Sequence, residues 1–310
     1  MFFRSATLLA LFNVVVMLGM VSAENDKNHK RSPSLIVLIP DGFGASQATL
    51  AREFIKVRDN IEERHGAKLN FDDYHVGSIS TKSANNYVTD SAAAGTSFAC
   101  GVNTNNGIIG YDDEIKIVAN VLEGAKHVGY RTGLVTTTRI THATPAAFSS
   151  HVYDRDAEDQ VAVQQLGGYV LGPQVDLLWG GGRNFFLPES ANGSRTDERN
   201  LIEEAKEKGW NVALTREEFD AYTKDSGAVR RSRIAGRDNW SHLPSLGLFA
   251  GSHLDYELDR DAAEQPSLAE MTIGALNALD SDDKPFFLMV SPDSHNTDRI
   301  KVTMTDLLFR

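Results

Sequence analysis

Apolar residues in this chain come as short unbroken runs separated by polar, periodic stretches. Ser34–Ile39 (Ser-Leu-Ile-Val-Leu-Ile) is one such run, ended by Pro40-Asp41-Gly42. A continuous run closed by turn residues predicts a strand buried on both faces of a parallel sheet. Glu114–Val128 carries Ile115, Ile117, Val118, Val121, Leu122 and Ala125 near helical spacing before Gly129 stops it, and Tyr130–Thr138 then has strand character. The alternation continues with a strand at Val175–Trp179, an acidic-to-basic helix at Asp197–Lys208, a short strand at Asn211–Leu214 and a helix at Arg216–Tyr222. Leu246–Ala250 is a further strand candidate, Pro266–Leu279 a helix with proline at its start, and Pro285–Val290 an aromatic-rich strand. Strands alternating with helices of these lengths predict an α/β fold: a doubly wound, mostly parallel sheet flanked by helices. Thr223–Pro244 has the weakest periodicity and is expected to form a surface excursion.

The N-terminus breaks this pattern. Residues 1–23 carry Arg4, the apolar run Ala6–Met20 and the small residues Val21-Ser22-Ala23, which is the plan of a secretory signal peptide. Asn13 interrupts the run, which favours cleavage near Ala23 over a retained anchor. Residues 24–33 then form a polar leader, 34–290 the body of the fold and 291–310 a divergent tail. Thr305–Arg310 lacks the hydrophobic tail of a glycolipid-anchor signal, so the expectation is a secreted chain with no membrane anchor. Export permits disulfides, but Cys100 is the single cysteine and no internal bridge can form. Asn192-Gly-Ser194 and Asn239-Trp-Ser241 are acceptor patterns for glycans on that route.

Charge narrows the function classes. Lys and Arg number 31 against 42 Asp and Glu, a net charge of −11. Such a field repels polyanions, so nucleic acid and anionic membranes are excluded as general partners. An anionic substrate requires local cations: a bound metal or a well-placed arginine.

The candidate chemistry lies in three segments. Val88–Gly101 sets Ser91 directly after Asp90 and before an Ala/Gly-rich stretch able to begin a helix. Helix starts offer unpaired N–H groups and a partial positive charge that suit a phosphate. Taken alone, Asp-Ser at a helix start is more often a plain N-cap. Asp41, closing the first strand, is on its own more often a turn or helix-cap residue. His142 and Thr144 alternate by two, so on an extended segment both point the same way, where they can serve a divalent metal. Arg155 follows eleven residues after Thr144, and its planar fork can hold two phosphate oxygens. Ligands of open parallel sheets gather at the carboxyl ends of strands, so the Asp41, Ser91 and Thr137–Thr144 segments are expected to converge.

Together these segments resemble the alkaline phosphatase family. The resemblance is carried by Asp90-Ser91-Ala92 with Gly101-Val102 and Asn106-Gly107, by Ile39-Pro-Asp41-Gly-Phe-Gly44, by His142-Ala-Thr-Pro-Ala146 and by Arg155. Weaker matches are Leu178-Trp-Gly-Gly-Gly-Arg183, Gly247-Leu-Phe249 with Tyr256-Glu257, and Pro266-Ser-Leu-Ala-Glu-Met271, all in family order. The resemblance implies hydrolysis of small phosphate monoesters with Zn2+ and Mg2+, in a homodimer. Ser91 would become a phosphoserine, Asp41 would bridge the two kinds of metal, His142 and Thr144 would serve the Mg2+ region, and Arg155 would clamp the phosphate.

The pattern also departs from the family. After Phe286–Val290 the family has a Glu that binds Mg2+ and then zinc ligands, whereas Ser291-Pro-Asp-Ser-His-Asn-Thr-Asp298 follows here. Asp293, His295 and Asp298 have suitable chemistry at a different spacing and are expected in a solvated tail. The family's later Asp-His motif and final zinc-binding His have no counterpart. The expectation is therefore a C-terminally incomplete product (truncated, alternatively spliced or mis-predicted as a gene) that binds zinc weakly and turns over poorly. A secreted binding protein that keeps the fold without catalysis is the alternative. A sulfatase is disfavoured, because its Cys/Ser-x-Pro-x-Arg motif is not what surrounds Ser91.

Overall fold

The computed structural model describes residues 32–61, 67–224, 243–280 and 284–292. The signal peptide, most of the polar leader, most of the Thr223–Pro244 excursion with Asn239, and Asp293, His295 and Asp298 lie outside the described residues.

Six strands form one sheet: β1 (Leu35–Leu38), β2 (Arg131–Arg139), β3 (Leu177–Gly181), β4 (Asn211–Ala213), β5 (Ser245–Leu248) and β6 (Phe286–Ser291). Their order is β1-β6-β2-β3-β5-β4, and every neighbouring pair is parallel. Eight α-helices accompany them among the described residues: α1 (Ala45–Asp59), α2 (Ser91–Cys100), α3 (Val121–His127), α4 (Ala143–Ala147), α5 (Glu158–Gln165), α6 (Leu201–Glu207), α7 (Arg216–Lys224) and α8 (Leu268–Leu279).

Alternation along the strands builds two cores. Leu134, Leu178, Leu246, Phe287 and Met289 face one side, where α2 to α6 contribute Ala92, Leu122, Ala146, Val161 and Leu201. Val135, Leu177, Trp179, Leu288 and Val290 face the other, covered by Phe219 of α7 and Met271 and Leu279 of α8. Successive side chains on a strand point to opposite faces, so strands covered on both sides become nearly continuous apolar runs. This is the doubly wound arrangement. No helix among the described residues is long and apolar enough to cross a membrane.

Two local expectations are corrected. The helix expected over Glu114–Val128 is only Val121–His127. The Asp112 carboxylate accepts from the amides of Glu114 and Lys116 and curls that stretch into a turn, with Ile115 at φ 65°. The helix begins where Asn120 and Glu123 form a reciprocal capping box. His142 and Thr144 do not sit on an extended segment either: His142 is the N-cap of α4 and Thr144 lies in its first turn. Pro145 is tolerated there because the first turn needs no donor from it.

Candidate active site

The site is assembled at the carboxyl ends of β1 and β2 and the start of α2. Pairing of β1 with β6 continues past both strands, with Ile39 N–H donating to Val290 O at 2.9 Å and Asp41 N–H to Pro292 O at 3.2 Å. That pairing fixes the backbone from which Asp41 projects. Across from it, Asp90 caps α2 by accepting from the Ala93 amide at 2.8 Å. Ser91 is the first residue of the helix, and its hydroxyl lies 3.0 and 3.1 Å from the two Asp41 carboxylate oxygens.

Small residues let the helices close around this point. Ala92 and Ala93 are fully buried, and a Cβ on Gly95 would stand 3.0 Å from the Ala147 Cβ. Helix α2 can therefore lie tightly on α4, which carries Thr144 to 3.4 Å from the same Asp41 carboxylate. His142 Nδ1 stands 3.9 Å from that carboxylate. One acidic group is thus shared by two hydroxyls and faced by an imidazole.

Arg155 enters from a loop. Its Nη1 donates to Asp90 at 3.1 Å, and its Nη2 lies 3.0 Å from His142 Nε2. Its backbone amide donates to Gly107 O at 2.8 Å, while Gly107 N–H donates to the second Asp90 oxygen at 2.9 Å. Behind His142, Arg139 holds Glu158 through Nε and Nη2, Thr141 donates to the same carboxylate, and the His253 ring packs edge-on against His142 at 5.4 Å.

Asp41, Ser91, Thr144 and Arg155 line a cleft of about 610 Å³ together with Phe43 and Phe98. A cation, a hydroxyl at a helix start and a carboxylate that accepts the hydroxyl's hydrogen are the parts a phosphoryl group needs. Among the described residues, no group of three or more His, Cys, Asp or Glu side chains converges to hold a metal.

All five residues expected from sequence, Asp41, Ser91, His142, Thr144 and Arg155, come together here. Sequence reasoning missed the double duty of Asp90, which caps the helix with one oxygen and holds Gly107 and Arg155 with the other. It also missed Glu158, which secures the β2 end. An acid directly before Ser91 was the available sign for Asp90; Glu158 offered none.

An α/β sheet carrying a helix-start serine, a carboxylate and a guanidinium around one cleft defines the class. A family model of alkaline phosphatase matches residues 33–298. The repressible alkaline phosphatase of Saccharomyces cerevisiae is 42% identical over 297 residues, covering 91% of this chain and 50% of the relative. An alkaline phosphatase of Schizosaccharomyces pombe is 35% identical over 306 residues, covering 94% and 54%. The crystal structure of Thermus thermophilus alkaline phosphatase superposes with a TM-score of 0.65 at 33% identity, over 83% of this chain and 48% of that one. A variant of TAB5 alkaline phosphatase, described with Mg bound, gives 0.60 at 28% identity, over 84% and 64%. This chain belongs to the alkaline phosphatase family. It spans about half the length of the curated relatives it matches.

Proposed function

We propose that the chain acts on phosphate monoesters through a phosphoserine at Ser91. The convergence of Ser91, Asp41 and Arg155 on one cleft carries this reading. The phosphate enters against Arg155, whose two outer nitrogens each keep a second N–H for its non-bridging oxygens. Ser91 donates its hydrogen to Asp41, leaving the oxygen's lone pairs for phosphorus. As the Ser91 Oγ–P bond forms, the ester P–O bond breaks, and the leaving oxygen departs with the electron pair and takes a proton from water to become the alcohol. Water then attacks phosphorus and gives up a proton to solvent; its O–P bond forms as the Ser91 Oγ–P bond breaks, and Asp41 returns its proton to Ser91 as inorganic phosphate leaves. Phe43 and Phe98 give the leaving group an apolar wall.

Oxygen donors around one carboxylate, Asp41 with Thr144 and beside His142, fit part of a Mg2+ sphere completed by water. A divalent cation bound there supplies Lewis-acid stabilisation of phosphoryl charge. Zn2+ takes a tetrahedral set of N, S or carboxylate ligands, and the described residues do not fit it. No step is assigned to zinc. Export through residues 1–23, a glycan on exposed Asn192 and a homodimer belong to the same proposal.

The test is hydrolysis of an aryl phosphate by the purified chain with added Mg2+ and Zn2+. The expected result is turnover that Ser91→Ala abolishes and Arg155→Ala lowers about a hundredfold. Turnover that survives Ser91→Ala overturns the nucleophile assignment.

A further inference from the structure

Arg155 sits at one end of a short ladder. Ile109 and Val152 exchange both backbone hydrogen bonds, at 2.9 and 3.0 Å, and the Arg155–Gly107 bond closes the end beside Asp90. The other end is held by His151, which is 4% exposed. Its Nδ1 lies 2.9 Å from Gly110 O and its Nε2 lies 2.8 Å from Glu123 Oε1. The approach is so close that a Cβ on Gly110, at φ 72°, would fall 2.4 Å from the His151 ring.

Donor and acceptor rules determine the ring's protons. A carbonyl only accepts, so Nδ1 carries a hydrogen. The other Glu123 oxygen already accepts from the Asn120 amide at 2.9 Å, so both oxygens of the carboxylate act as acceptors. Nε2, facing an ionised acceptor, then carries a hydrogen as well. We propose that His151 is a buried imidazolium paired with Glu123, and that this ion pair is a positioning element that sets Arg155 against the phosphate. The proposal rests on the reading that Arg155 holds phosphate.

The surroundings isolate this group. Tyr169 stacks on the His151 ring at 5.2 Å, Tyr111 meets it edge-on at 6.4 Å, and Tyr153 stacks on Tyr111. Burial pushes the Tyr111 hydroxyl and the Cys100 thiol up to about 12, the latter helped by the Glu123 charge, and raises Tyr169. Burial alone would lower His151, but the bonds to Glu123 and Gly110 outweigh it and hold the ring above its usual value. A group raised on folding stabilises fully below its ordinary value and loses that contribution as pH rises through the raised one. Above that pH the buried carboxylate faces a ring nitrogen without a hydrogen, and the ladder loosens.

The test uses the full chain with 15N-labelled histidine and sulfate, a tetrahedral dianion whose charge is constant over the range. NMR is expected to show both His151 nitrogens protonated at neutral pH, and sulfate affinity is expected to fall with the same midpoint as the His151 titration. Glu123→Gln is expected to lower that midpoint, shift the affinity loss with it and weaken binding at neutral pH about tenfold. Arg155→Ala tests the underlying reading separately, and unchanged sulfate affinity in that variant overturns the reading of Arg155 itself. If Arg155→Ala weakens binding while Glu123→Gln leaves both affinity and its pH midpoint unchanged, the positioning role is wrong and the Arg155 reading stands. Should Glu123→Gln fail to fold, the wild-type chain decides. A neutral His151 ring at neutral pH, or an affinity midpoint apart from its titration, overturns the proposal.

Discussion

The wing of the sheet formed by β3, β5 and β4 and the corner where β1, β6 and β2 end share one parallel pairing scheme, but they are held by different forces. In the wing, the Trp179 ring meets Phe219 at 5.5 Å and Tyr222 at 5.6 Å, Phe219 meets Phe249 at 5.3 Å, and the Trp179 N–H donates to Ser245 at 2.8 Å. Apolar burial dominates there. At the corner, the contacts are polar and join segments far apart in the chain: Asp41 to Ser91 and Thr144, and Asp90 to Gly107 and Arg155. The difference implies that the aromatic cluster of the wing contributes stability without bearing on the chemistry, while the polar contacts of the corner bear on it directly.

Trp179→Ala gives the largest expected effect on stability. Emptying an aromatic site that is 1% exposed is expected to cost about 3–5 kcal/mol in urea unfolding, with sulfate affinity unchanged in the fraction that remains folded. An equal loss of affinity would break the separation of the two regions. Asp90→Ala comes next and sharpens it: loss of the cap is expected to cost about 1–2 kcal/mol, and anion binding should weaken because Arg155 and Gly107 lose a shared anchor. Ser91→Ala should change stability by less than about 1 kcal/mol while removing all covalent phosphate capture.

A pH-dependent effect is expected from Glu270→Gln, on the wing side, where Arg216 of α7 grips Glu270 of α8 with both outer nitrogens at 3.0 and 2.7 Å. Burial pushes the Glu270 carboxyl up, but Arg216 and the Ser267 donors outweigh it and hold the group at about 2, against an ordinary 4.5. A depressed carboxylate contributes stability above its ordinary value and loses it as pH falls toward the lowered one. Glu270→Gln should therefore flatten the acid limb of the stability curve between those values. An unchanged limb contradicts the pairing.

The buried strands were legible because coverage on both faces leaves a nearly uninterrupted apolar run, as at Phe286–Ser291; β1, read from its run as buried on both faces, is instead a half-buried edge strand. Helix α1 was not, because it is mostly exposed: Ala48 is its one buried residue, and Arg52, Glu53, Lys56 and Arg58 blur any stripe. The five candidate residues were legible as types in an ordered motif. Their convergence was legible only through the rule that ligands gather at the carboxyl ends of strands. The route to that convergence was not. His142 and Thr144 meet Asp41 from a helix start rather than from an extended segment, and no periodicity marks a helix of five residues. His151 and Glu123 were hidden for another reason: their pairing spans 28 positions and depends on a turn at Gly110.

The central claim is that Ser91, Asp41 and Arg155 meet around a single phosphorus atom. Intact-mass and peptide analysis of the chain after incubation with inorganic phosphate in mild acid tests it most directly. The account predicts a phosphate on the Ser91 peptide, strongly diminished in Arg155→Ala and in Asp41→Asn and absent in Ser91→Ala. A chain that stays unmodified, or that carries phosphate on another residue in the Ser91→Ala variant, would contradict it.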